Sequence, residues 1–479
     1  MDDSTGVTLG EVIFSDIDQN PYLNKLYEGI LYNYSLRLFQ IKRERKPVNV
    51  SDALHFADIL SKSPFDRHLI WSQEIVALLK ETEPDNVAVD FYIESVLSST
   101  GNYQGLATAK KNFPSQISYR RSALDQLHEE YSKEIVTVPA EPDKLFFRPQ
   151  KEVYDRLTEQ YFSYSGPTSM GKSFIMRMFI KEQVQSGTQY NYALIVPTKA
   201  LINEVSSKII NDLGSLLKSK NYRVVTSAGA LALEEKHNFI FVLTPERLLY
   251  LLIRYPEQNI DYLFIDEAHK ISSKDKRSVF YYKDIDMISQ RDRKPHVIFA
   301  SPNIPNPEVY LKLIPDLVDE TYIDDIKLAT QFSPVSQIKY LIDCVDGSIR
   351  LFNERGSSFI DICKAPISSQ FCNVIAQLGK GVQTIVYFNS KDKAIQAAIE
   401  YAKLEDDKGD DELLAVAKEI ESQVHKDYYL AKLIKRGVAY HIGYLPASIR
   451  TSRVSRMKLK SYPEHTGNSS ASARCIWKS

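Results

Sequence analysis

The first part of the chain carries its apolar side chains at helical spacing. After Asn20-Pro21, the positions Tyr22, Leu23, Leu26, Tyr27, Ile30, Leu31, Tyr34, Leu38 and Phe39 recur at the intervals that line one face of a helix. The spacing returns at Ala53, Leu54, Phe56, Ala57, Ile59 and Leu60, with Ser51 and Asp52 placed to cap that segment, and again at Ile70, Ile75, Val76, Leu78 and Leu79. Residues 1–140 therefore read as a helical accessory or docking domain without recognisable chemistry, suited to a protein partner. From Val136 to Pro149 the pattern shortens into β-type runs and prolines, which mark a boundary. Beyond it, short apolar runs alternate with helical stretches: Tyr192–Val196, Phe239–Leu243, Tyr262–Ile265 and Val297–Ala300. Apolar strands of this kind predict an α/β fold, a parallel sheet with helices on both faces, over residues 141–335. A second unit over 336–450 is expected to open with a hairpin of Lys339–Cys344 and Ile349–Phe352 across Asp346-Gly347, followed by a strand at Thr384–Phe388.

Composition narrows the setting. At 479 residues the chain has material for about three domains, and a net charge of −1 creates no global attraction to nucleic acid or an acidic membrane. Contacts of that kind must be local. The cysteines Cys344, Cys363, Cys372 and Cys475 have neither metal-ligand spacing nor the density of a disulfide framework, which favours a reducing, cytoplasmic setting. The opening MDDSTGVTLGEVIF has no basic start and no apolar core, so it is not a signal peptide. No apolar run approaches the roughly 20 residues that span a bilayer, and no membrane partner is expected. The acidic run from Glu405 to Glu412 reads as a solvated loop.

Candidate chemistry concentrates in two places. Gly166-Pro167-Thr168-Ser169-Met170-Gly171-Lys172-Ser173 has the spacing of a phosphate-binding loop, followed by an apolar segment suited to a helix. Glycines such as Gly166 and Gly171 let backbone N–H groups, including those of Thr168 and Ser169, approach phosphates at a helix N-terminus. Lys172 would neutralise the phosphates, and the Ser173 hydroxyl would ligate Mg²⁺. Downstream, the apolar run Tyr262–Ile265 delivers Asp266 and Glu267 to a strand end, where ligands of parallel sheets bind. Asp266 would hold Mg²⁺, and Glu267 would orient and deprotonate an attacking water. The expected ligands are therefore a nucleoside triphosphate and Mg²⁺.

Asp266-Glu267-Ala268-His269, taken with Gly166–Ser173, resembles the DEAD/DEAH-box helicases of superfamily two. Further segments fit. Phe147-Arg148-Pro149-Gln150 lies where the family reads adenine, which assigns Gln150 to the nucleotide. Pro197-Thr198-Lys199-Ala200 resembles motif Ia and Thr244-Pro245-Glu246-Arg247 resembles motif Ib. Pro197, Thr198, Lys199, Thr244 and Arg247 thereby become candidate contacts to a single-stranded DNA or RNA backbone, positioning it without reading sequence. Read alone, Thr198 and Glu246 are equally good helix-capping residues. The resemblance also implies a RecA-like sheet of the P-loop NTPase type and gives His269 a coupling role. Ser301-Pro302-Asn303 departs from the family's Ser-Ala-Thr motif.

The second half resembles the family less completely. Gln383–Ser390 is similar to motif IV, and Gly437–Pro446 with Arg450 is similar to the segment that follows in the Ski-like branch. Neither motif V nor motif VI is matched, so an incomplete second RecA-like domain and weakened turnover are expected. After Arg450 the chain is rich in Ser and basic residues without amphipathic period; residues 451–479 read as an unstructured tail from a shifted reading frame, with a basic regulatory tail as the alternative. The leading function is ATP-dependent helicase or translocase. The alternative is a nucleotide-controlled docking module, as in antiphage systems in which such a motor pairs with a nuclease.

Overall fold

The computed structural model describes residues 14, 16–112, 123–227, 237–273, 276–315, 317, 326–343, 345–364, 371–378, 384–441 and 474–477. By contact the chain divides into two compact units, Met1–Gln19 with Val50–Ser336 and Asn20–Asn49 with Gln337–Ser479. The helical N-terminal stretch is thus shared between them. Helix Pro21–Leu38 groups with the later strands, and the helices from Val50 to Ile135 group with the central sheet.

In the first unit, β1 (Thr137–Val138) and β2 (Glu141–Leu145) form a short antiparallel pair. The sheet comprises β3 (Tyr161–Ser165), β4 (Tyr192–Ile195), β5 (Tyr222–Val225), β6 (Asn238–Leu243), β7 (Tyr262–Ile265), β8 (His296–Ser301) and β9 (Lys327–Ala329). Its order is β5-β6-β4-β7-β8-β3-β9, and every neighbouring pair is parallel. Side chains alternate between faces. Tyr164, Leu194, Val242, Phe264 and Ile298 pack one way, with helices Lys172–Ser186 and Lys199–Leu213. Ala193, Ile195, Phe241, Leu263 and Phe299 pack the other way, with helices Pro245–Arg254 and Ser278–Ser289. Cover on both faces is why these strands read as continuous apolar runs.

Two local features differ from the sequence expectation. β3 carries Ser163 and Ser165 in a buried strand, which blurs its apolar pattern; Ser163 Oγ is satisfied by the Pro307 carbonyl at 2.6 Å. The second predicted helix begins at Val50, so Ser51 and Asp52 lie within its first turn and do not cap it.

The second unit holds the expected hairpin, β10 (Lys339–Ile342) against β11 (Ser348–Asn353), extended by β12 (Ser358–Lys364) into an antiparallel sheet. Gly347 takes φ of 73° in the connecting turn, a left-handed conformation that favours glycine. Helix Pro21–Leu38 meets this sheet, with Ser35 Oγ 2.9 Å from the Tyr340 hydroxyl. A second, parallel sheet has β15 (Arg474–Trp477) between β13 (Thr384–Tyr387) and β14 (Val438–His441). β15 falls in the stretch read from sequence as unstructured. Pairing on both sides supplies the backbone hydrogen bonds that its residue pattern alone does not announce. Gln383 and residues 442–473 lie outside the described residues, including Tyr444, Leu445, Pro446 and Arg450. The acidic run Glu405–Glu412 is a loop only to Asp410: Asp411 and Glu412 open helix Asp411–Gln423, which Asp410 caps by accepting the Glu412 and Leu413 N–H groups at 2.8 and 3.1 Å. Among the described residues, no group of three or more His, Cys, Asp or Glu side chains could hold a metal ion, and no helix is long and apolar enough to cross a membrane.

Candidate nucleotide-binding site

Strand order brings the two candidate motifs to one edge. β3 runs into the loop at Gly166, β7 runs into Asp266, and β8 lies between them and ends in Ser301. The phosphate loop is stitched to that neighbour. The Gly166 N–H donates to the Ser301 carbonyl at 3.2 Å, the Asn303 N–H donates to the Gly166 carbonyl at 3.3 Å, and the Ile304 N–H donates to Ser165 Oγ at 2.7 Å. The segment that departs from the family's third motif therefore still braces the loop from beside it.

Within the loop, Gly171 has φ of 77°, and a Cβ there would stand 3.1 Å from Gln150 Nε2. A Cβ on Gly166 would stand 2.3 Å from Met170 Sδ, so a larger residue there would have to displace that side chain. Thr168 and Ser169 are exposed at the turn that precedes helix Lys172–Ser186. Gln150 is buried and bridges two segments: its Oε1 accepts the Phe147 N–H at 2.8 Å, and its Nε2 donates to the Met170 carbonyl at 2.5 Å.

Lys172 is buried, with its ammonium donating to the Gly166 and Pro167 carbonyls at 2.9 and 3.3 Å. Burial pulls its pKa below the ordinary value, against the opposing charges of Glu267 and Asp266. Ser173 Oγ donates to Asp266 Oδ2 at 2.9 Å, and Asp266 Oδ1 accepts the Glu267 N–H at 3.0 Å. Burial pushes the Asp266 carboxyl up, with the Ser173 hydrogen bond opposing that rise and the Glu267 charge adding to it. Glu267 sits at φ of 57°, a left-handed conformation uncommon for a residue with a side chain. His269 Nδ1 lies 3.3 Å from Glu267 Oε2, within ion-pair distance but without hydrogen-bond geometry, and burial lowers the imidazole pKa.

These residues fit Mg²⁺ and a triphosphate on their donor chemistry: a buried ammonium held by loop carbonyls, a hydroxyl already directed at a carboxylate, and a loop that turns through a left-handed glycine at Gly171. Ser173 and Asp266 would hold the metal, which when bound neutralises phosphate oxygens.

The candidate nucleic-acid residues separate into two kinds. Thr198 and Lys199 are exposed at the start of helix Lys199–Leu213, where Thr198 Oγ1 accepts the Leu201 N–H at 3.3 Å. Thr244 is buried and its hydroxyl turns to Glu246, while the Arg247 guanidinium donates to the Thr226 carbonyl at 2.5 Å. The tie between the two segments is Arg277, which the sequence did not single out. Its Nη1 donates to the Pro197 carbonyl at 2.5 Å, and its Nε and Nη2 form a two-point pair with Glu246, the Nη2 bond at 2.9 Å. Burial would raise the Glu246 pKa, but the Arg277 and Thr244 hydrogen bonds bring it down to about 2. This pair therefore stabilises the fold above the ordinary carboxylate range, and the contribution is lost as pH falls toward 2. Because both side chains are about one third exposed, Arg277→Ala is expected to cost only about 1–2 kcal/mol of stability. It should also flatten the acid limb of the stability–pH profile, as followed by thermal melts between pH 2 and 6.

Residues 147–309 match the family model described as DEAD/DEAH box helicase. An uncharacterized ATP-dependent helicase of Methanocaldococcus jannaschii, MJ1574, is 26% identical over 176 residues, covering 32% of this chain and 26% of its own length. Among solved structures, the DUF1998 helicase MrfA bound to DNA is 15% identical at a TM-score of 0.43, covering 70% of this chain and 42% of that one. Mycobacterium smegmatis helicase Lhr, bound to ssDNA and AMP-PNP, is 14% identical at a TM-score of 0.43, covering 75% and 42%. The chain thus spans about a quarter of the curated relative and under half of these two solved chains. The phosphate loop, the Asp266-Glu267 strand end and the segments tied by Arg277 all fall inside residues 147–309, the stretch of this chain that matches the DEAD/DEAH box helicase family.

Proposed function

We propose that this chain binds Mg-ATP at the edge formed by β3, β8 and β7 and uses its hydrolysis to act on a nucleic-acid strand. The observation that carries the reading is the Ser173 Oγ–Asp266 Oδ2 hydrogen bond of 2.9 Å, which pairs the metal ligands of two distant motifs beside the buried Lys172. In this reading the loop N–H groups and Lys172 bind the triphosphate, Glu267 accepts the proton of the attacking water, and Gln150 reads adenine from its place against the loop. His269, adjacent to Glu267, communicates the state of that carboxylate. Thr198 and Lys199 meet the backbone of the strand directly. Thr244 and Arg247 act from within the segments that Arg277 joins. Residues 1–140 serve as an accessory region for a protein partner, residues 141–335 as the ATP-binding domain and residues 336–450 as a partial second RecA-like domain.

The test is phosphate release from ATP with and without single-stranded DNA or RNA. Turnover stimulated by one polymer supports the motor and names its substrate. Nucleotide binding without stimulation by either polymer sinks it in favour of a nucleotide-controlled docking module.

A further inference from the structure

Asp66 opens helix Asp66–Thr82 in the helical part of the first unit, far from the phosphate loop in sequence. Its Oδ2 accepts three hydrogen bonds, from Thr330 Oγ1 at 2.7 Å and from the Gln331 and Phe332 N–H groups at 3.1 Å each. A second grip lies close by. Asn102 Nδ2 donates to Gln73 Oε1 at 2.8 Å and reaches the Pro334 carbonyl at 3.5 Å. The gripped segment, 330–334, continues from β9, the neighbour of β3.

That segment also lies along the phosphate loop. The Thr330 N–H donates to the Ser165 carbonyl at 3.0 Å, and Ser333 Oγ is 2.9 Å from Ser169 Oγ. The Thr330 methyl stands 3.3 Å from where a Gly166 Cβ would be. Phe332 faces Phe147 with ring centroids 6.1 Å apart, and the Phe147 N–H is the group that Gln150 holds. One carboxylate oxygen is thus the common anchor of a strap that touches the loop at its first glycine, at Ser169 and at the Gln150 turn.

We propose that Asp66 is a positioning residue for nucleotide binding: it clamps residues 330–334 against the phosphate loop, so that the helical region sets how well the loop is shaped for a triphosphate. The proposal rests on the nucleotide-binding reading above. Hydrogen bonds to an ionised acceptor are about twice as strong as neutral ones, and three converging on one oxygen hold a short segment in one geometry. A strap held in place leaves the loop less conformational freedom to lose when nucleotide binds. With Asp66 truncated, the strap and the loop must be ordered by the nucleotide itself.

The experiment titrates a fluorescent ATP analogue against the full chain and measures KM and kcat for ATP. It compares wild type, Asp66→Ala, Asp66→Asn, Thr330→Val and Lys172→Ala, with melting curves to fix the folded fraction. Asp66→Ala is expected to raise Kd and KM about tenfold while kcat changes by less than about threefold. Asp66→Asn, which keeps an acceptor oxygen, should recover part of the loss. Thr330→Val removes one of the three bonds and should raise Kd by a smaller factor, which keeps the test valid if Asp66→Ala fails to fold. Asp85→Ala, an exposed acid of the same helical region, should bind as wild type does. A lower melting temperature with unchanged Kd per folded molecule in both Asp66→Ala and Thr330→Val would overturn the proposal while leaving the nucleotide site intact. Wild type without Lys172-dependent binding would overturn the underlying reading as well.

Discussion

Glu267→Gln is expected to bind ATP with near wild-type affinity and to hydrolyse it at least about 100-fold more slowly, because a positioned general base contributes about 10²–10⁴ in rate. The amide keeps the size of the carboxylate but cannot accept the proton of a water. Glu267 is suited to the task by place. It follows Asp266 in a left-handed turn at φ of 57°, with its Oε2 3.3 Å from His269 Nδ1. Lys172→Ala should fail earlier, at binding. The buried ammonium is held by the Gly166 and Pro167 carbonyls, so its loss removes the positive charge at the loop and the tie that closes it. Titration with a fluorescent nucleotide and phosphate release by the same proteins check both outcomes. Equal loss of binding in the two variants would show that Glu267 shapes the pocket and is not the base, and near wild-type turnover by Glu267→Gln would remove it from catalysis.

Asp284→Leu should stabilise the protein at neutral pH by about 2–4 kcal/mol, an unusual sign for a substitution in a core. Asp284 lies on helix Ser278–Ser289, is 2% exposed, and neither of its oxygens has a hydrogen-bond partner among the described residues; nor does the nearby Tyr281 hydroxyl. Burial, with the Glu246 charge adding to it, pushes its pKa from 3.8 up to about 9. The unfolded chain releases this proton near pH 4, whereas the folded chain keeps it to about pH 9. Between those limits the native state binds the extra proton, so stability falls as pH rises, by about 1.4 kcal/mol per unit. Leucine removes both the neutralisation cost and the orphaned oxygens. Melts at pH 5, 6, 7 and 8 check the prediction through the slope: wild type should lose stability across the series, whereas Asp284→Leu and Asp284→Asn should lose this component. A profile that stays the same in all three proteins would sink the assignment.

Some of this molecule is legible one residue after another. The apolar runs 192–196, 239–243 and 262–265 predict buried parallel strands because a strand covered on both faces needs no polar side, and all three lie in the sheet. The loop Gly166–Ser173 is readable because its chemistry comes from backbone and neighbouring side chains at fixed spacing, and Asp266-Glu267 because an apolar strand ends there. Helix Pro21–Leu38 is readable from Asn20-Pro21, where Asn20 Oδ1 accepts the Tyr22 and Leu23 N–H groups at 3.0 Å.

What the chain order does not carry is which separated segments meet. Arg277 is one cation among many until Pro197 and Glu246 are placed at its two ends. Asp66 is an ordinary first-turn acid until residues 330–332 fold against it. Asp284 is one acid among many until its helix packs and leaves it 2% exposed. β15, with no amphipathic pattern, becomes a strand because two others offer it both edges. Residue pattern by itself therefore determined the α/β class, the phosphate loop and the acidic strand end, since each depends on interactions within a few residues. Tertiary packing alone decided the ties that hold those pieces in register, because a hydrogen bond or a desolvated charge depends on partners that only folding brings near.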